Sequence, residues 1–210
     1  MGIRFVLVQT FVSEINSMMK YLVALLFLSM SLAASGQVDY NRQYLNAKDL
    51  FRQGKYNLAM EAFKPLIPYD QNNGYSEYAS YFYALSAYKQ GFRAVAKDMI
   101  AQVKSLYPKW DQMNEVNYLL GRVHFDNKDY FQGLKIFSSI EDKKFEADIR
   151  ATKTAHLIQI TDIETLRMMH EEYPKDEIIA KALAQGLSKN LSNEEDRQQL
   201  EDLIDKFKLE

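Results

Sequence analysis

The chain contains no cysteine, which excludes disulfides, thiolate metal sites, a thiol nucleophile and a lipid-bearing cysteine anchor. Breakers are scarce too, with 4 prolines and 8 glycines in 210 residues. In a sequence well supplied with Ala, Leu, Lys, Glu and Gln, that scarcity favours helix. Alternating apolar and polar runs are missing, which argues against sheet. Positive charge is not in excess: the net charge is −2 and the pI about 6.0, so no electrostatic reason points to nucleic acid. Catalytic signatures are also missing. Gly54-Lys55 has Asp49 where a phosphate-binding loop needs its first glycine and Tyr56 where it needs Ser or Thr. His124, His156 and His170 share no metal-ligand spacing, and no G-x-S-x-G elbow or closely spaced glycine loop occurs. The expectation is a protein with no metal, no small-molecule cofactor and no enzymatic chemistry.

What is present begins with an address. Lys20 precedes an apolar run of 14 residues, Tyr21 to Ala34, followed by Ser35-Gly36-Gln37. A basic start, a short apolar stretch and small residues form a secretory signal over residues 1–36, with cleavage expected before Gln37. A membrane span needs about 20 apolar residues, more than this run supplies. The preceding MGIRFVLVQTFVSEINS is unusual for a signal, and a start at Met18 or Met19 would put Lys20 in its expected place. If the longer start is used, the two apolar runs form an uncleaved anchor. Membrane association is otherwise expected only through a partner.

The body of the chain repeats itself. Ala47 and Ala59 around Gly54 return as Ala84 and Ala96 around Gly91, then as Gly121 and Gly133 around Asn127-Lys128, at steps of 37 residues. Phe63, Ile100 and Phe137 follow in the same register, then Leu66, Val103 and Ile140. Small residues suit the closest approach of two packed helices, whose axes lie about 8–10 Å apart. Gly54 and Gly91 suit the left-handed residue that ends a helix, with Asn127 expected in that role in the third copy.

These columns resemble the tetratricopeptide repeat: small residue, glycine elbow, Tyr, Ala, aromatic, aliphatic, then Pro. GKYNLAMEAF, Gly54 to Phe63, is close to that pattern, and Leu120-Gly121 with NKDYFQGLKIF carries it in the third copy. The family's Trp position is held by Gln43, Ser80 and Asn117, and the period is three residues longer, with the extra residues assigned to the loops QNNGYSE and YPKWDQMNE. The resemblance implies an all-α fold in which residues 37–142 form three helix-turn-helix repeats stacked as a right-handed superhelical solenoid. Beyond Glu141 the register fails. Residues 143–210 are expected to form two degenerate hairpins or capping helices, over Glu146–Ile160, Asp162–Glu172, Glu177–Lys189 and Asn193–Lys208, with capping boxes at Thr161/Glu164 and Ser192/Glu195.

In this family the first helix of each repeat lines a concave groove. Carried over by register, its positions are Tyr44, Tyr81 and Tyr118, then Phe51, Tyr88 and Phe125, aromatic in every copy and seven residues apart on one helical face. Lys48 and Arg122 lie between the rings, and Lys89 lies beside Tyr88. An aromatic strip with cationic neighbours suits a peptide with apolar anchors and some negative charge. The competing expectation is that the rings only pack neighbouring repeats together.

The leading expectation is a non-catalytic protein-interaction scaffold, exported to the periplasm, that binds another envelope protein or peptide segment through this groove. One alternative is the repeat region of a larger exported protein, similar to activators of penicillin-binding proteins. A remote one is a peptidoglycan lytic enzyme, although the Glu-Ser pair of lytic transglycosylases does not occur.

Overall fold

The computed structural model describes residues 19, 39–189, 191 and 193–209. The expected signal, residues 1–36, lies outside the described residues apart from Met19. The described residues form ten α-helices and two short 3-10 turns, with no strand among them, so the fold is all-α. None of these helices is long and apolar enough to cross a membrane.

Three hairpins come first. Helices α1 (Tyr40–Arg52) and α2 (Tyr56–Phe63), α3 (Ser76–Lys89) and α4 (Arg93–Leu106), and α5 (Met113–Asp126) and α6 (Tyr130–Ser138) pack pairwise. Their elbows are built the same way. Gly54 N–H donates to the Phe51 carbonyl at 3.0 Å and Lys55 N–H to that of Leu50 at 3.0 Å. Gly91 and Phe92 repeat the pattern onto Tyr88 and Ala87, both at 2.9 Å, and Lys128 and Asp129 repeat it onto Phe125 and His124, at 3.0 and 2.9 Å. The double bond satisfies carbonyls that the helix end would leave orphaned, and it requires a left-handed residue. That residue is Gly54 at φ 73°, Gly91 at φ 81° and Lys128 at φ 62°. Asn127, the residue expected in the third copy, instead has φ −89°. The 37-residue register outweighs the side-chain preference.

Small residues sit where the paired helices cross. Ala47, Ala59, Ala84 and Ala96 are all fully buried. In the third hairpin a Cβ on Gly121 would lie 2.3 Å from the Phe137 ring, and one on Gly133 would lie 2.5 Å from the Phe125 ring. The two glycines therefore make room for Phe125 and Phe137, which stack with centroids 5.1 Å apart. Phe63, Leu66, Ile100 and Val103 fill the first two hairpins.

Four helices follow: α7 (Glu146–Leu157), α8 (Ile163–Glu172), α9 (Glu177–Lys189) and α10 (Glu194–Phe207). Helix α9 packs against the other three and buries Ile178, Ile179, Ala180, Ala182, Leu183, Ala184 and Leu187. Side chains start the last two of these helices. Asp176 accepts from the backbone of Ile178 at 3.1 Å and Ile179 at 3.3 Å, and Asn193 accepts from Asp196 at 2.8 Å. Helix α8 starts behind Asp162, not Thr161. Asn193 takes the capping position of α10, and Ser192 lies outside the described residues. Lys153 pairs with Asp176, and Arg167 with Asp196, all four side chains largely withdrawn from water.

Candidate binding groove

The first helices of the hairpins pack side by side: α1 on α3, α3 on α5, and α5 on α7. This juxtaposition brings most of the expected groove residues onto one face. Tyr44 is half-buried, its ring stacked on Tyr75 at 4.5 Å and edge-on to Tyr78 at 6.2 Å. Burial, reinforced by Tyr78 and Tyr75, pushes its hydroxyl pKa up to about 12. Tyr81 meets Phe82 at 5.2 Å and Trp110 at 5.9 Å, and burial raises its pKa as well, aided by Glu115. Tyr88 reaches about 12 through burial and a hydrogen bond to Asp126. Tyr118 stacks on Phe145 at 5.1 Å and Phe137 at 6.0 Å. Each of these rings is half-buried, wedged between helices yet touching the surface.

The cations are held on aromatic faces. Lys48 Nζ lies 3.6 Å from the Phe82 centroid and 5.9 Å from that of Tyr44. Burial and then Arg52 lower its pKa. The Arg122 guanidinium sits between two rings, 4.9 Å from Tyr88 and 5.7 Å from Tyr118. Attraction to the ring face partly replaces lost hydration. Neither cation has a carboxylate within ion-pair distance among the described residues, and neither does Lys89, which is exposed. The carboxylates on the same face are occupied: Glu115 pairs with Lys144 at 2.7 Å, and Asp126 with Arg93 and with His156 at 3.4 Å each.

One expected groove residue is placed differently. Phe125 is fully buried, between Gly133 and Phe137, so its ring packs the third hairpin and offers no surface to a ligand. Phe51 is half-buried and edge-on to Tyr56 at 5.4 Å and Phe82 at 5.3 Å, joining the first two hairpins. Residues outside the repeat columns also join the strip. Trp110, the only tryptophan, meets Tyr78 at 5.1 Å and 90°. Both Tyr75 and Trp110 come from the two loops that carry the extra residues of the 37-residue period. An aromatic in each of those loops, just ahead of a groove helix, was the available signal.

Other polar groups form local ties. His124 Nδ1 lies 2.8 Å from Asp129 Oδ2 across the third elbow, so Asp129 ties down His124 and makes no side-chain cap. His170 Nδ1 is buried without a partner, its ring edge-on to Phe207 at 6.0 Å. No group of three or more His, Cys, Asp or Glu side chains among the described residues is arranged to hold a metal ion. No protein-family model and no curated protein matches the chain.

Proposed function

We propose that this protein is a non-catalytic scaffold of the cell envelope: an exported, periplasmic, tetratricopeptide-like solenoid that holds a segment of another envelope protein in its groove. The observation that carries this proposal is the strip of half-buried Tyr44, Tyr81, Tyr88 and Tyr118 with Lys48 and Arg122 on ring faces and without a carboxylate. Large rings that lose little conformational freedom, set beside unneutralised cations, are what a peptide-binding surface concentrates. The signal-like N-terminus supports export, and the repeating elbows support the family resemblance.

The test is site-specific photo-crosslinking from position 81 in living cells, with position 135 on α6 as the control. One dominant envelope protein captured from position 81, and not from 135, is the expected result. Abundant adducts from 135 with none from 81 would mean that the rings only join hairpins.

A further inference from the structure

The cations of the groove occupy equivalent places two hairpins apart. Lys48, Leu85 and Arg122 follow one another at steps of 37 residues, on α1, α3 and α5, and all three are half-buried. The order along the face is therefore cation, apolar, cation. Desolvated charge without a counter-ion is unfavourable, and a charge-assisted bond from an incoming carboxylate relieves it. At Lys48 the lowered pKa agrees with that unrelieved state. Helices packed side by side lie about 8–10 Å apart, so two steps cover about 18 Å. An extended chain in the polyproline II form advances about 3.1 Å per residue with three residues per turn, so it crosses that span in about six residues and keeps the first, middle and last side chains on one face. A helical segment, rising 1.5 Å per residue, would need about twelve.

We propose that the groove selects an extended acidic segment with two carboxylates about six residues apart and an apolar side chain midway: one carboxylate on Lys48, the apolar group on Leu85, the second carboxylate on Arg122. This deepens the scaffold function above and rests on it. The pattern reads the same in both chain directions, so either orientation of the segment satisfies it.

Trp110, against Tyr78 and Tyr81, makes the groove observable by intrinsic fluorescence. The probe is the acetylated, amidated peptide Glu-Ser-Ser-Leu-Ser-Ser-Glu, titrated into the full chain. Its comparators are the same peptide with both Glu replaced by Gln, an isomer with the two Glu adjacent, and a helix-forming peptide with Glu twelve residues apart. The first peptide is expected to bind at least tenfold more tightly than each comparator. Lys48→Gln and Arg122→Gln should each remove part of that preference and the double variant all of it, with thermal melts and circular dichroism unchanged. Lys135→Gln should leave it intact. Equal binding of the Glu and Gln peptides would overturn the carboxylate requirement, equal binding of the adjacent-Glu isomer would reduce it to general attraction, and tighter binding of the helical peptide would overturn the extended form. If no peptide binds while position 81 still captures a protein in cells, this proposal fails and the scaffold stands. If position 81 captures nothing either, both fall.

Discussion

The two halves of the described structure turn their helices by different means. In residues 40–142 each hairpin turns on the backbone alone. A left-handed residue at 54, 91 and 128 makes the same pair of hydrogen bonds, and the next helix starts from Lys55, Phe92 or Asp129 at φ and ψ near −85° and 63° without a side-chain cap. In residues 143–209 two of the four helices, α9 and α10, start on the Asp176 and Asn193 side chains, and the segment is tied by Lys153–Asp176 and Arg167–Asp196. A backbone turn constrains one residue and leaves the surrounding side chains free to form a binding face. A side-chain turn uses its polar groups internally. The strip of half-buried rings accordingly belongs to the first half.

The largest expected difference between the halves appears at alkaline pH. Tyr44 and Tyr88 are raised to about 12, and Tyr81 is raised too, each chiefly by burial. A folded-state pKa above the unfolded value of about 10 gives stability that is complete below pH 10 and lost as pH rises through 12. The first half should therefore unfold across that window. Absorbance at 295 nm should show these tyrosines ionising together with the loss of helical circular dichroism and a change in Trp110 fluorescence. Simple ionisation near pH 10 with helicity intact would mean the rings are solvated and the strip is looser than described.

Crossing points separate the halves next. Adding a methyl at Gly121 or Gly133 drives it into a buried phenyl ring, and overpacking of this kind destabilises by about 1–3 kcal/mol. Gly186, in α9, has its nearest neighbours at 3.5 Å and 3.6 Å from an added Cβ, so Gly186→Ala should be tolerated and serves as the control. Urea unfolding of the three variants measures the contrast. All three substitutions gain the same helix propensity, about 0.5–1 kcal/mol, so equal midpoints for Gly121→Ala and Gly186→Ala would contradict the close fit of Phe125 and Phe137.

Capping comes third. Asp176→Ala removes the acceptor for Ile178 and Ile179 and the partner of Lys153. Losing a cap destabilises by about 0.5–2 kcal/mol, and the largely buried Lys153 ammonium takes the loss to the upper part of that range. Lys55→Ala, at a helix start in the first half with no side-chain cap, should change stability by less than about 0.5 kcal/mol. Thermal melts of the two variants test whether the halves truly differ in how they begin helices.

Much of the first half was legible because its turns are periodic. A step of 37 residues marks the glycine elbows and the small crossing residues without any knowledge of their surroundings. The single-residue preferences were the weaker guide. They favoured Asn127 over Lys128, and the register carried over from the repeat resemblance put Phe125 in the groove. Only the conjunction of Gly121 and Gly133 on facing helices opens the slot that draws Phe125 inward, and no single column shows that. In the second half the helices themselves are close to expectation, since apolar spacing survives. Their starts shift by one residue: α8 begins behind Asp162 without a side-chain cap, and Asn193 caps α10 because neighbouring polar residues compete for the same backbone groups. Trp110 was missed because loop residues carry no period.

The smallest expected effect tests the elbow directly. Lys128 holds a left-handed backbone, φ 62°, at the position where the other two hairpins have glycine. That conformation is unfavourable by about 1–2 kcal/mol for a residue with a Cβ, and glycine returns about 0.5–1 kcal/mol of that through the greater freedom of the unfolded chain. Lys128→Gly should therefore stabilise the protein by about 0.5–1 kcal/mol, whereas Gly54→Ala and Gly91→Ala should destabilise it, even though nothing lies within 4 Å of an added Cβ at either glycine. Opposite signs at register-equivalent sites would leave backbone conformation as the cause, since neither packing nor charge pairing is shared among the three. Urea midpoints read the sign in each variant. A destabilising Lys128→Gly would mean that the lysine stem contributes packing that outweighs the strain, and the three elbows would then be alike in geometry but not in what holds them.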